Sequence, residues 1–164
     1  MDALTVPVEI APTDPRVLPL IQTHLALMRA VTPEQSVHAM DAGALEAGGA
    51  RFFAIFDGGE AVAMGALRPL GPVNGETGHG EIKSMHVRER MRGQGLADAM
   101  LAHLLAVARQ EGMGRVSLET GARPAFAPAR AFYARHGFAE CAPIEGYKDD
   151  PESVFMTMTL DPAA

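Results

Sequence analysis

The sequence predicts an α/β fold in which a sheet is covered by helices, and three observations carry that expectation. Short β-prone runs recur along the chain, among them TVPVEI, RFFAIF, AVAMGAL and RVSLE. Between them stand stretches with apolar residues at three- and four-residue spacing, LADAMLAHLLAVAR being the longest clear case. Turn-forming residues then fall at the borders, as in Asp57-Gly58-Gly59-Glu60. A chain of 164 residues has room for one domain with a proper core and is short for two, so residues 1–164 are read as a single domain.

Taken in order, residues 4–10 form a first strand that Pro7 confines to a sheet edge, since proline cannot donate to the ladder. Asp14 as cap with Pro15 in the first turn opens a helix over 15–30, with Val17, Leu20, Ile21, His24, Leu27, Met28 and Val31 at helical spacing. Thr32 and Gln35 stand at capping-box distance and predict a second, shorter helix that fades near Gly43. Residues 51–56 and 61–67 pair as a hairpin. Residues 71–80, rich in Gly, Pro and Asn, read as a loop before a strand at 81–87. Residues 96–109 form an amphipathic helix closed by Gly112 and Gly114, and residues 115–119 form a buried strand. A short helix at 128–136 is stopped by Gly137, and two strands follow near 138–141 and 154–160. The order is β-α-α-β-β-β-α-β-α-β-β.

Composition excludes several classes. A net charge of −6 opposes general nucleic-acid binding, which needs a clustered excess of Lys and Arg. Arg88, Arg90 and Arg92 are the local exception, and the surrounding acidity argues against reading them as a nucleic-acid patch. The single Cys141 cannot form an internal disulfide, and it lacks an activating pattern that would make it a nucleophile. MDALTVPVEI has neither the basic segment nor the apolar run of a signal peptide, so a cytoplasmic protein is expected. No run of 18 apolar residues indicates a membrane span, and no CxxC or HExxH spacing indicates a metal site. The sequence leaves monomer and homodimer open.

The stretch VRERMRGQGLADAML places arginines and two glycines directly before the longest helix. A helix start leaves about four backbone N–H groups unpartnered and carries roughly half a positive charge, which favours an anion. Gly93 and Gly95 permit positive φ and keep side chains away from those donors, so the segment reads as a phosphate cradle; the competing reading is loop glycines with a solvated arginine rim. It is not a P-loop, because Leu96-Ala97 follows Gly95, and not a dinucleotide fingerprint, because Asp98 stands where the third glycine belongs.

Arg90-Met91-Arg92-Gly93-Gln94-Gly95-Leu96-Ala97 resembles the R/Q-x-x-G-x-G/A signature of the GCN5-related N-acetyltransferase (GNAT) superfamily. EIKSMHV is similar to the family's fourth strand, and Ala131-Phe132-Tyr133 with Gly137-Phe138 to its FY…GF segment. SVHAMD, SLETG and FAPARAFYARHGF further resemble a bacterial acetyltransferase subgroup. The resemblance implies a mixed, mostly antiparallel sheet and acetyl-CoA as cosubstrate, its pyrophosphate at Arg92, Gly93, Gln94, Gly95, Leu96 and Ala97. It implies pantetheine pairing with the backbone of Met85, His86 and Val87, and Tyr133 as general acid to the coenzyme A thiolate. Phe126 stands where many members carry a coenzyme-binding Asn, which leaves Thr120 or backbone groups to hold the pantetheine arm.

Direct acetyl transfer needs a base for the acceptor amine. Glu81, on the strand resembling the catalytic one, is a candidate base or a structural charge pair; His79, His86 and Glu119 are weaker candidates. The family's acceptor side comprises the first two helices and the last strands, so His24, Arg29 and His38 are expected to line it. Arg29 is expected to clamp a carboxylate, with Glu81 and Glu119 attracting an ammonium. The expected activity is N-acetylation of a small-molecule amine by acetyl-CoA, without nucleic acid or membrane as partner; the alternative is a non-catalytic acyl-CoA-binding sensor.

Overall fold

The computed structural model describes residues 6–72 and 78–161. Its elements are β1 (Val8–Glu9), α1 (Leu18–Val31), α2 (Ala42–Ala47), β2 (Arg51–Asp57), β3 (Glu60–Pro72), β4 (Gly78–Val87), α3 (Leu96–Gln110), β5 (Met113–Gly121), α4 (Ala127–Arg135), β6 (Ala139–Cys141) and β7 (Ser153–Thr159). The expected order of helices and strands is the observed one. The strands form one sheet in the order β1-β2-β3-β4-β5-β7-β6, antiparallel except between β4 and β5. Pro7 precedes β1, which lies at the sheet edge.

Alternation along β2 divides the core. Phe53 and Ile55 belong to the cluster that receives Leu96, Met100, Leu101 and Leu104 of α3. Phe52 and Ala54 belong to a second cluster with Leu20, Ile21 and Leu25 of α1 and Leu45 of α2. Side chains on a strand point alternately to the two faces, so helices cover both sides of the sheet. Gly65 on β3 lets α3 lie close, since a Cβ there would come within 2.8 Å of Met100 and 2.9 Å of Met85.

Three local expectations are corrected. Helix α1 begins at Leu18, because Asp14 spends its carboxylate on Arg16, accepting from its backbone N–H (2.9 Å) and guanidinium. The Thr32–Gln35 pattern yields only a 3-10 turn at Glu34–Ser36; the second helix is α2, capped by Asp41, whose side chain accepts from the Ala44 N–H at 2.8 Å. Ser36 donates instead to Asp150 (2.6 Å) and the His38 carbonyl accepts from Lys83 (2.9 Å), which hold this segment out of a helix. The expected loop at 71–80 is partly strand: Gly71 pairs with His79 and Pro72 with Gly78, while residues 73–77 lie outside the described residues, as do Leu4 and Thr5 of the expected first strand.

The centre of the sheet positions the site. Between the pairs Met64–His86 and Ala66–Lys83, Gly65 opposes two residues, Ser84 and Met85, and Ser84 adopts φ +59°. This is a β-bulge, which bends the strand and increases its twist. Pairing of β4 with β5 stops at Glu81–Ser117, so the two strands separate beyond that point.

Candidate active site

Two cavities meet at the split. The larger, about 700 Å³, lies between α1, the end of β4, the start of α3 and α4; the smaller, about 160 Å³, lies between β4, β5 and the 32–39 segment. His24, Met28, Met85, Phe126, Ala129 and Tyr133 line both.

At the mouth of the larger cavity Gly95 occupies the N-cap of α3 at φ +82°, with Gly93 at +79°, and no side chain caps the helix. An L residue rarely adopts these angles, and a Cβ at either glycine would meet nothing within 4 Å, so the helix start is left open to a ligand. Arg92, Gly93, Gly95, Leu96 and Ala97 line this cavity, as do Met85, His86 and Val87; Gln94 is exposed and does not. The arginines divide: Arg92 donates to the Val87 carbonyl (3.2 Å), whereas Arg88 and Arg90 both reach Glu60 at 2.9 Å in the β2–β3 turn. The charge of Arg90 is therefore taken up by the hairpin. Asp98, in the first turn of α3, is bonded by His136 (2.7 Å) and Arg135 (3.1 Å), which hold its carboxyl below the usual range.

Tyr133 is buried edge-on against Phe132 and Phe138, and burial pushes its phenol well above the ordinary value. Phe126 packs against Gly121, where a Cβ would fall 2.0 Å from the ring. Thr120 lines the smaller cavity only.

Acceptor-side expectations divide sharply. Glu81 is fully buried and lines neither cavity. Its carboxylate accepts from Arg68 at 2.7 and 3.1 Å and from the Tyr147 hydroxyl at 2.5 Å, with the Lys83 ammonium 3.7 Å away. That is the geometry of a charge pair rather than of a base in reach of a substrate. Glu119 lines the smaller cavity, and burial pushes its carboxyl up to about 7, against the opposing pull of Lys83 and a 3.3 Å hydrogen bond from Ser153. His24 is buried with its Nδ1 3.0 Å from Nδ1 of His86, so one ring donates and the other accepts; burial lowers both to about 4. His38 lines the smaller cavity and stacks edge-on with Tyr147. Arg29 is exposed and lines neither cavity, so it is not placed to clamp an acceptor there. His79 bonds Ser117 (2.7 Å) and Cys141 lies on β6, both outside the two cavities.

Sequence reasoning passed over Lys83 and Tyr147. Lys83 left a signal, being a lysine inside a strand flanked by buried residues. Tyr147 left none, because its loop has no periodicity.

A sheet split beside an open helix start, with a second polar cavity joined to it, fits an acyl-CoA-dependent acyltransferase, and the comparisons agree. Residues 20–138 match the acetyltransferase (GNAT) family. The chain is 38% identical over 148 residues to an uncharacterized N-acetyltransferase, YsnE, of Bacillus subtilis (90% of this chain, 95% of the relative), and 35% identical to another, YedL, of Escherichia coli (90% of each). A solved structure assigned as an acyl-CoA N-acyltransferase from Klebsiella pneumoniae superposes with a TM-score of 0.75 at 31% identity, covering 98% of this chain and 100% of that one. The chain belongs to the GNAT family and is an N-acetyltransferase. No helix among the described residues is long and apolar enough to cross a membrane.

Proposed function

We propose that this enzyme moves an acetyl group from acetyl-CoA directly to the amine of a small molecule. The observation that carries this reading is the junction of the two cavities at Met85 and Tyr133, with Glu119 in the smaller one. The coenzyme pyrophosphate sits on the N–H groups at the start of α3 beside Arg92, and pantetheine runs along the backbone of Met85 to Val87 like an added strand. Backbone N–H groups freed in the split stabilise the oxyanion.

Glu119 takes one proton from the incoming ammonium. The neutral amine attacks the thioester carbonyl, the C–S bond breaks as the C=O bond reforms, and Tyr133 gives a proton to the departing thiolate. The proton left on nitrogen restores the phenol, and Glu119 returns its proton to water. A carboxyl near 7 suits a base working at neutral pH. Burial keeps the phenol protonated until the C–S bond breaks, so a proton is at hand for sulfur as its charge develops.

Thiol release measured across a panel of small amines tests the reading. We expect release with at least some of them and a fall in kcat in Tyr133→Phe with coenzyme affinity retained, because only the transition state needs the phenolic proton. Coenzyme A binding without release from any amine would overturn it.

A further inference from the structure

We propose that the smaller cavity selects an acceptor bearing a carboxylate beside its amine, and that the Lys83 ammonium receives that carboxylate. This rests on the acyl-transfer reading of the cleft. Lys83 is the one Lys or Arg among the described residues lining the smaller cavity. Its neighbours leave its charge only partly answered. Arg68 grips Glu81 with two nitrogens, so those two charges answer each other. Lys83 donates to two neutral oxygens, the His38 carbonyl and the Tyr147 hydroxyl, both at 2.9 Å. Its nearest carboxylate oxygen, on Glu81, stands at 3.7 Å, outside direct hydrogen-bond distance. An ammonium has three N–H donors, and a cation that is 9% exposed is costly to hold without an anion on it.

The acids of the cavity complete the pattern. Glu152 is bridged by Arg123 at 2.8 Å, whereas Glu119 has only the Ser153 hydroxyl. A cation with no carboxylate within hydrogen-bond distance and an acid held by one hydroxyl therefore face a cavity of about 160 Å³, small for a drug-sized ligand and suited to an amino-acid head group. The carboxylate settles on Lys83 and the ammonium on Glu119, which places nitrogen beside its base. The recognition expected of Arg29 thus passes to a residue on β4 itself. Acceptors carrying several cations and no carboxylate are disfavoured by the same ammonium.

The experiment compares acetyl-CoA-dependent rates for L-alanine with ethylamine, L-methionine with 3-(methylsulfanyl)propylamine, and L-phenylalanine with phenethylamine. We expect the parent to favour the amino acid by about tenfold or more in kcat/KM in at least one pair, the order of one charge-assisted hydrogen bond. Lys83→Met should lose the preference through KM for the amino acid, slow both members of a pair alike in kcat at neutral pH because Glu119 loses the pull of Lys83, and be partly rescued by Lys83→Arg. Tyr147→Phe removes a loop contact but keeps the ammonium, and should retain the preference. Equal rates in the parent, equal losses of kcat/KM for both members of a pair in Lys83→Met, or loss of preference in Tyr147→Phe would each overturn the proposal. Inhibition of the parent by N-acetylalanine but not by N-ethylacetamide supports it even if Lys83→Met does not fold; equal inhibition overturns it. Release without preference sinks this inference only, whereas no release from any probe sinks the small-amine reading with it.

Discussion

Glu119 meets two opposed demands. Its carboxyl titrates near 7, against 4.5 unperturbed, so the folded chain holds a proton between those values that the unfolded chain has released. The native state then binds more protons than the unfolded state, and stability falls as pH rises through that window, by up to ~3 kcal/mol for a shift of this size. Glu119→Gln is expected to be more resistant to denaturant than the parent above pH 7 and equal to it near pH 4, while losing most transfer activity; an unchanged midpoint at pH 8 would contradict this. In the parent, kcat/KM should rise with pH through about 7 as the base ionises. Glu81→Gln should behave differently. Removing one partner of a buried pair leaves Arg68 uncompensated and costs about 3–5 kcal/mol, read as a lower thermal midpoint. The sequence placed both acids on strands but could not say which faces the cleft. That choice depends on where β4 parts from β5, a relation between residues some 36 positions apart. Arg29 went astray for a related reason, since helical spacing fixes a face only where the neighbouring apolar residues are in contact with the sheet.

At the scale of elements, α1 is tied to β4 by the His24–His86 hydrogen bond. Both rings titrate near 4, against 6.5 unperturbed, so the unfolded chain binds protons that the native state excludes. Their contribution is complete above pH 6.5 and is lost as pH falls towards 4. Leucine at both positions should flatten the fall of the denaturation midpoint between pH 6.5 and 4, and an unchanged slope would remove the pair from the acid response. The packing of Gly121 on Phe126 gives a second test. Gly121→Ala forces the ring away, and because that ring lines both cavities, coenzyme A affinity measured by calorimetry should fall in a protein that still folds. Gly95→Val, which demands φ +82° of a β-branched residue, should weaken the coenzyme more strongly. Long elements were legible because many residues vote for them, as in α3. The second helix is not legible from the capping pattern of Thr32 and Gln35, because the contacts that overrule it come from Lys83 and Asp150, far off in sequence.

Taken whole, the chain places two apolar clusters on opposite faces of one sheet, and β2 and β3 contribute to both. Neither cluster can come apart without disturbing the shared strands. We expect one cooperative unfolding transition, with fluorescence and circular dichroism coincident; separated transitions would divide the molecule into independent units. The order of elements and the glycine turn before α3 were readable because each is local. The two-cavity arrangement was not, since it is assembled from α1, β4, β5 and α4 by the turn of a single strand.

The bulge at Ser84 and Met85 carries a consequence for the timing of solvent exchange. The middle of a seven-stranded sheet is ordinarily where amide protons are best protected, because the donors on both sides of each strand are bonded. Here the amides of Ile82 to Val87 and Leu118 to Gly121 that point into the split have no strand opposite. They should exchange orders of magnitude faster than their neighbours bonded to β3 and β7, a fast seam through the slowest part of the molecule. Coenzyme A should close that seam on the β4 side, and mass-resolved exchange with and without it would show the molecule holding a place in its own sheet for a strand that is not protein.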